Sequence, residues 1–393
     1  MVSRRQLLRA AAVPSALLPM GRLFGAEYDL VIRGGRVVDP SQRMDRMADV
    51  AIRGGKIVAI RPNIAASAAA EVIEAGGKLV TPGLIDVHAH VADRGLTPAQ
   101  LLSTGVTSLV DGGSRGAANV DALVKIAQSS PNRVRILLNI SRRGLADGSD
   151  ELLDIAKADP AAARRAIESA RDWIIGIKAR LSRSAAGEHD LEALRRARSV
   201  ADPLKIPIMI HIGDTAAPLP DLLALLRPGD IVTHMYAPAP HGMLDENGRV
   251  LPQVLEARRR GIRFDIGNGR TAHWTWDVAE RAIQQGFLPD TISSDITTPG
   301  LTDQVFNLPH VMSKFLLLGM PIAQVIAAVT TNAARSVPAY NSYGTLRTGA
   351  VADVAVLDLQ EGDFEFVDNY KGQRTGRRKL APYAVVMGGK KAG

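Results

Sequence analysis

The sequence predicts an α/β protein: a (β/α)8 barrel of the TIM type, with a small β-sandwich domain assembled from both ends of the chain. Three observations lead there. Eight short apolar runs alternate with helical patterns between residues 84 and 296, which is the strand count and length of such a barrel. Segments of β character occupy residues 28 to 80 and return after residue 351. Histidine, lysine and aspartate recur where the central runs end, and strand ends are where a barrel carries its chemistry.

In chain order the flank comes first. YDLVIRGGRVVD, ADVAIRGGKIVAI and AEVIEAGGKLV combine alternation or β-branched runs with polar breaks, and the pairs Gly34-Gly35 and Gly54-Gly55 read as turns. VADVAVLDL (351 to 359) and APYAVVMGG (381 to 389) repeat the style in the tail. Residues 27 to 82 and 340 to 393 are therefore assigned to the small domain, and 83 to 339 to the barrel. Its strands are LIDVHAH (84 to 90), VTSLVDGG (106 to 113), VRILLNI (134 to 140), IIGIKAR (174 to 180), IPIMIHI (206 to 212), DIVTHM (230 to 235), IRFDIGN (262 to 268) and TISSDI (291 to 296). Helices open at Asp159-Pro160, Thr302-Asp303 and Pro321, where a capping side chain or proline suits a first turn. A doubly wound sheet is the alternative, but it leaves strands over and no glycine-rich phosphate loop follows the first strand.

The 393 residues are 46% hydrophobic and 22% charged, a globular balance. The formal net charge is +8, yet Arg4, Arg5, Arg9 and Arg22 precede the first acid, and without them 44 basic residues face 40 acidic ones. With aromatics at 4%, this residual charge reads as solvated helix faces and not as a nucleic-acid surface. Cysteine is absent, so disulfides, a thiol nucleophile and a thiolate metal site are excluded, and any metal must be held by nitrogen and oxygen. Ser3-Arg4-Arg5 followed by Leu7 and Leu8 looks like a twin-arginine export signal over residues 1 to 26, implying the periplasm. The following apolar stretch, Ala10 to Met20, is broken by Pro14 and Pro19 and is too short for a retained membrane anchor. A small-molecule substrate is the expected partner, with a homo-oligomer possible.

The chemistry begins at DVHAH. Residues i and i+2 of a strand point the same way, so His88 and His90 can converge. Lys178, His211, His234 and Asp295 fall near the ends of strands four, five, six and eight. A single histidine of this kind is commonly a hydrogen-bonded core residue, but the group together suits Zn²⁺ or a related divalent ion. Lys178 has no lone pair when protonated and would repel a cation. Buried near metal, its neutral amine could add CO₂ to form a carbamate; pairing with an aspartate or an anionic substrate is the alternative.

These residues resemble the amidohydrolase superfamily over nearly all of residues 28 to 390. GLIDVHAH, GIKAR, IHIGD, VTHMY and SSDI look like its binuclear-metal pattern. GVTSLVDGGSRGA, LNISRRGL, the HGMLDENGRVLPQ segment and TTNAA look more narrowly like the amidohydrolase/deacetylase metallohydrolase group, related to dihydroorotases and D-aminoacylases. The resemblance implies two divalent metals, one on His88, His90 and Asp295 and one on His211 and His234. A carboxylated Lys178 would bridge them, and Asp295 would take the proton of the attacking water.

One position departs from the group. Asn268-Gly269 stands where a His-Gly turn is expected, followed by RTAHWTW. His273 could substitute, but a loop histidine reads more simply as a surface residue. Arg115, Arg142, Arg143, Arg180 and Arg183 follow strands two to four and could pair with a substrate carboxylate. Trp274 and Trp276 could wall a pocket or start the next helix. The expected function is hydrolysis of an acyl amide or ester on a small carboxylate-bearing molecule, such as an N-acyl amino acid or O-acyl hydroxy acid. A cyclic-amide hydrolase of the dihydroorotase or hydantoinase type is the rival. A non-catalytic scaffold is disfavoured because all six ligand positions are occupied.

Overall fold

The β-rich flanks pair with each other, and the central runs close into a ring. The computed structural model describes residues 26–92, 95–148, 150–238 and 240–392; the export motif at Ser3-Arg4-Arg5 lies outside them. The N-terminal side supplies β1 (Tyr28–Asp39), β2 (Met44–Arg53), β3 (Lys56–Arg61), β4 (Ala69–Glu74) and β5 (Leu79–Pro82). The middle supplies β6 (Leu84–Ala89), β7 (Val106–Asp111), β8 (Arg133–Asn139), β9 (Ile174–Arg180), β10 (Ile208–His211), β11 (Ile231–Thr233) and β12 (Arg263–Phe264). The tail supplies β13 (Val354–Val367), β14 (Gln373–Met387) and β15 (Lys390–Ala392). No helix among the described residues is long and apolar enough to cross a membrane.

The first sheet has the order β15-β14-β13-β5-β1-β2-β3, with β4 also on β1. Its two chain ends meet where β13 runs antiparallel to β5, from Val354 opposite Pro82 to Leu357 opposite Leu79. Leu30, Ile32, Val50, Ile52, Val80, Val354 and Val356 then share one core, so neither flank buries its apolar face without the other. Buried Asp39 ties the same ends together: its carboxylate accepts from Ser41 N (2.9 Å) and from Leu346 N (2.7 Å). Asp39→Ala strands both donors and is expected to lower stability by about 2–4 kcal/mol, read from the chemical denaturation midpoint.

The Gly34-Gly35 pair is not a turn. It is a bulge inside β1, where the register with β2 shifts between Ile32 and Gly35. Gly34 takes φ +70° and donates to Asp49 Oδ1, while a Cβ on Gly35 would lie 2.4 Å from Val80 Cγ2. Gly54-Gly55 does turn the chain between β2 and β3. The tail strands also run further than expected, because β13 continues through the polar stretch QEGDF as a solvent-facing hairpin with β14.

The second sheet is parallel with the order β12-β11-β10-β9-β8-β7-β6. The eighth run, expected as a strand over 291 to 296, makes only single bridges, Thr291 to Asp265 on one side and Ile296 to Ala89 on the other. Asp295 N donating to His88 O (2.7 Å) and His90 N donating to Ile296 O (3.0 Å) close the ring. Regular pairing fails here because Asp295 takes φ +46°. Asp86, deep on β6, explains the closure. Its carboxylate accepts from Ser294 N (3.1 Å), Ser294 Oγ (2.5 Å) and His88 N (3.3 Å), which fixes Asp295 against the histidine strand.

Asp159 caps the helix Pro160–Ser169 by accepting from Ala162 N, and the helix Ile322–Ala328 begins after Pro321. The helix expected at Thr302-Asp303 instead starts at Leu308, where the Asn307 side chain accepts from His310 N and Pro309 sits in the tolerant first turn. Positive φ at Gln304 and Phe306 breaks any earlier start.

Candidate metal centre

Strand geometry delivers the donors. His88 and His90 leave β6 on one side, Lys178 lies near the end of β9, His211 ends β10, and His234 follows β11. All four histidines, Lys178 and Asp295 are buried. Their ligand-type atoms converge into two groups, His88 with His90 and Asp295, and His211 with His234 and His273, each with its atoms within 4.8 Å of one another. Asp295 Oδ1 lies 3.2 Å from His88 Nε2 and 2.9 Å from His90 Nε2, and its Oδ2 lies 3.1 Å from His273 Nδ1. Lys178 Nζ sits 3.0 Å from His88 Nε2. His234 and Asp295 both adopt left-handed backbone, at φ +62° and +46°, a strain that the surrounding hydrogen bonds must hold.

The outer nitrogens of three histidines are occupied. His88 Nδ1 meets Thr233 Oγ1 at 3.0 Å, and that hydroxyl donates to Asp265 Oδ2. His90 Nδ1 meets Ser114 Oγ at 2.9 Å, itself bonded to Asp111 Oδ2. His234 Nδ1 donates to the Gly267 carbonyl at 2.7 Å, since a carbonyl can only accept. Each bond turns the Nε2 lone pair inward, the arrangement that prepares an imidazole to bind a cation. Thr233, Asp265, Ser114, Asp111 and Gly267 were not picked out from sequence. Asp111 and Asp265 do end or follow strands, so position alone was the available signal.

Electrostatics agree with this arrangement. Burial holds His88, His211 and His234 well below the ordinary imidazole value, so they are neutral and able to ligate. Burial also pushes Lys178 down to about 7, against the opposing pull of Asp295 and Asp265. Although burial would raise Asp295, the adjacent His88, His273 and His90 hold it well below the usual carboxylate range. His273 Nδ1 is buried and near Asp295 without the alignment of a hydrogen bond. An orphaned inward nitrogen, neutral imidazoles and a single ionised carboxylate are a donor set that fits divalent cations.

His273 is thus not the surface residue that its loop position suggested. Its side chain is 19% exposed and stacks on His234 with ring centroids 4.0 Å apart. The loop folds back because Gly269 takes φ +53° and Ala272 φ +61°. A Cβ on Gly269 would lie 1.8 Å from His273 Nδ1 and 2.6 Å from Asp295 Oδ2. Gly269→Ala is expected to displace His273, to cost about 1–3 kcal/mol of stability, and to lower activity at least tenfold, checked by thermal unfolding and initial rates.

No family model matches the chain. The chain is 30% identical over 375 residues to a protein named deacetylase from Enterococcus faecalis, spanning 92% of this chain and 98% of that one. It is 33% identical over 349 residues to a deacetylase of Agrobacterium fabrum, spanning 86% and 85%. The chain belongs to the amidohydrolase superfamily. Two solved structures support the same family: one titled an adenine deaminase, at 30% identity and TM-score 0.83 over 93% of this chain and 99% of that one, and one titled a dihydroorotase, at 31% and 0.82 over 92% and 98%. The protein is an enzyme, a deacetylase-like amidohydrolase.

The amidohydrolase has a cavity of about 270 Å³ beside the donor groups, lined in part by Arg180, His211, His273, Ser182, Ser184 and Tyr370. Of the arginines expected near substrate, Arg180 reaches this cavity, anchored through its Nη1 to Glu151 Oε2 at 2.7 Å. Arg115 instead donates to the carbonyls of Ala92 and Ser114, and Arg142 lines a separate surface cavity with Asp121 and Arg165. Arg143 lies 3.6 Å from Asp147, and Arg183 pairs with Glu188. Trp276 starts the helix Trp276–Gln284, and Trp274 is buried against it. Neither tryptophan lines the cavity.

Proposed function

We propose that this amidohydrolase is a binuclear metal hydrolase that removes an acyl group, from an amide or an ester, on a small carboxylate-bearing molecule such as an N-acyl amino acid or O-acyl hydroxy acid. The observation that carries the reading is one small cavity shared by Arg180 and by His211 and His273 of a donor group. Its volume, about 270 Å³, suits a small molecule. His88, His90 and Asp295 would hold one divalent ion and His211 and His234, joined by His273, the other, with zinc favoured by nitrogen and oxygen donors and a carboxylated Lys178 between them. When bound, such ions acidify water and polarise a carbonyl.

The chain's own groups do the rest. Asp295, ionised and central to the donors, accepts a proton from the attacking water and returns it to the departing amine or alcohol, so that water is divided between acyl carbon and leaving group. Arg180 keeps donors free beyond the one spent on Glu151, enough to bind a carboxylate in the cavity. Burial raises the Glu151 carboxyl, while Arg180 opposes that shift. The pair fixes the guanidinium at the edge of the cavity.

A second reading, hydrolysis of a cyclic amide, is favoured by the 31% identical structure titled a dihydroorotase. A panel of N-acyl amino acids, O-acyl hydroxy acids and cyclic amides, offered to zinc-loaded enzyme, separates the two. Turnover confined to cyclic amides selects the second, and inactivity on all three classes removes the proposal. The Ser3-Arg4-Arg5 motif supports export to the periplasm, which cell fractionation tests.

A further inference from the structure

The tip of the C-terminal hairpin, Asp368 to Gly372 between β13 and β14, belongs by connectivity to the first sheet, yet it grips the loop that carries His273. Asn369 is buried, and its Oδ1 accepts from His273 N (3.0 Å) and Trp274 N (3.2 Å). Its Nδ2 donates to Gly269 O (3.2 Å), so one side chain holds both ends of the Gly269 to His273 bend. Asp368 Oδ2 accepts from Trp276 N (3.1 Å), and Trp276 Nε1 donates to Gly372 O (2.9 Å). Buried Lys314 adds a third clamp, donating to Asn268 Oδ1 (3.0 Å) and Val367 O (2.9 Å). Residues 269 to 275 have no helix or strand of their own, so much of their placement comes from this hairpin. The next residue of the tip, Tyr370, is 54% exposed and lines the 270 Å³ cavity together with the barrel residues Arg180 and His211.

We propose that the hairpin tip is part of the active site: Asn369 is a positioning residue that holds His273 beside Asp295, and Tyr370 forms a wall that limits the size of the substrate substituent. This rests on the acyl-hydrolase reading for its substrates, but the positioning half stands apart from it. Asn369 acts through the backbone amides of His273 and Trp274. Replacing it by leucine leaves two backbone N–H groups, that of Trp274 buried, without an acceptor, and the loop opens locally while the barrel strands stay closed.

The test pairs hydrogen exchange with kinetics on the full chain. In Asn369→Leu, exchange of peptides covering residues 268 to 276 is expected to rise at least tenfold, with β6 to β10 unchanged. Asn369→Asp, which keeps the acceptor, should restore most of that protection. Unchanged exchange in the loop, or an equal rise throughout the barrel, overturns the positioning role whether or not any substrate is known. Tyr370→Ala alters an exposed side chain and tests the wall without risk to the core. Over a series of N-acyl amino acids of increasing side-chain size, kcat/KM for the largest relative to the smallest should rise at least fivefold, chiefly through KM. A ratio that does not move overturns the wall. If wild-type enzyme cleaves no member of this series and no O-acyl hydroxy acid, the acyl-hydrolase reading fails and the wall falls with it, while the exchange result still decides the role of Asn369.

Discussion

Asp295→Asn is expected to abolish turnover, by about 10³-fold or more, while sparing most of the bound metal. The carboxamide keeps one oxygen where Oδ1 now faces His88 and His90 at 3.2 and 2.9 Å, so a ligand atom survives. It loses the negative charge and the proton acceptor, and an amide nitrogen cannot shuttle a proton to the leaving group at neutral pH. Elemental analysis beside initial rates decides the matter. Full metal with no rate supports a base that acts through charge, and retained rate removes Asp295 from that role.

Lys178→Met is expected to remove activity to a similar extent, but by a different route, with metal content falling by one equivalent or more. Lys178 is fully buried, 3.0 Å from His88 Nε2, and held near pH 7 in its titration by burial. As an ammonium it would oppose a cation in either donor group. As a neutral amine it can combine with CO₂, releasing one proton and presenting two oxygens that share one negative charge, which methionine cannot do. Wild-type protein loaded with zinc should therefore hold more metal and more activity with bicarbonate than in CO₂-free buffer. Lys178→Ala should recover part of its metal when a small carboxylate such as formate is supplied to fill the gap. A Lys178→Met enzyme that keeps two metals and its rate excludes the carbamate, and bicarbonate independence of the wild type returns Lys178 to a role in pairing with aspartate.

The convergence of the donors was legible because it depends on short-range rules. Strand alternation puts His88 and His90 on one side, and parallel register brings the ends of β9, β10 and β11 to one rim. The β1 bulge at Gly34-Gly35, where a turn is expected, has the complementary reason. A glycine pair marks positive φ, but whether the chain then turns or continues depends on Val80 packing against it from another strand. The helix expected at Thr302 was displaced by the unusual backbone of Gln304 and Phe306, which no propensity encodes.

The sequence by itself determined a barrel with paired flanks, histidine, lysine and aspartate gathered at its strand ends, and the absence of any thiolate, because these follow from periodicity, strand ends and composition. Tertiary structure alone decided that Arg180 reaches the cavity while Arg142 does not, and that Asp265 and Ser114 orient the histidines. It also decided that His273 joins the site. The physical reason is distance along the chain: Asn369 reaches the His273 amide across 96 residues, and a loop without a hydrogen-bond ladder of its own takes its shape from whatever partner the fold brings to it.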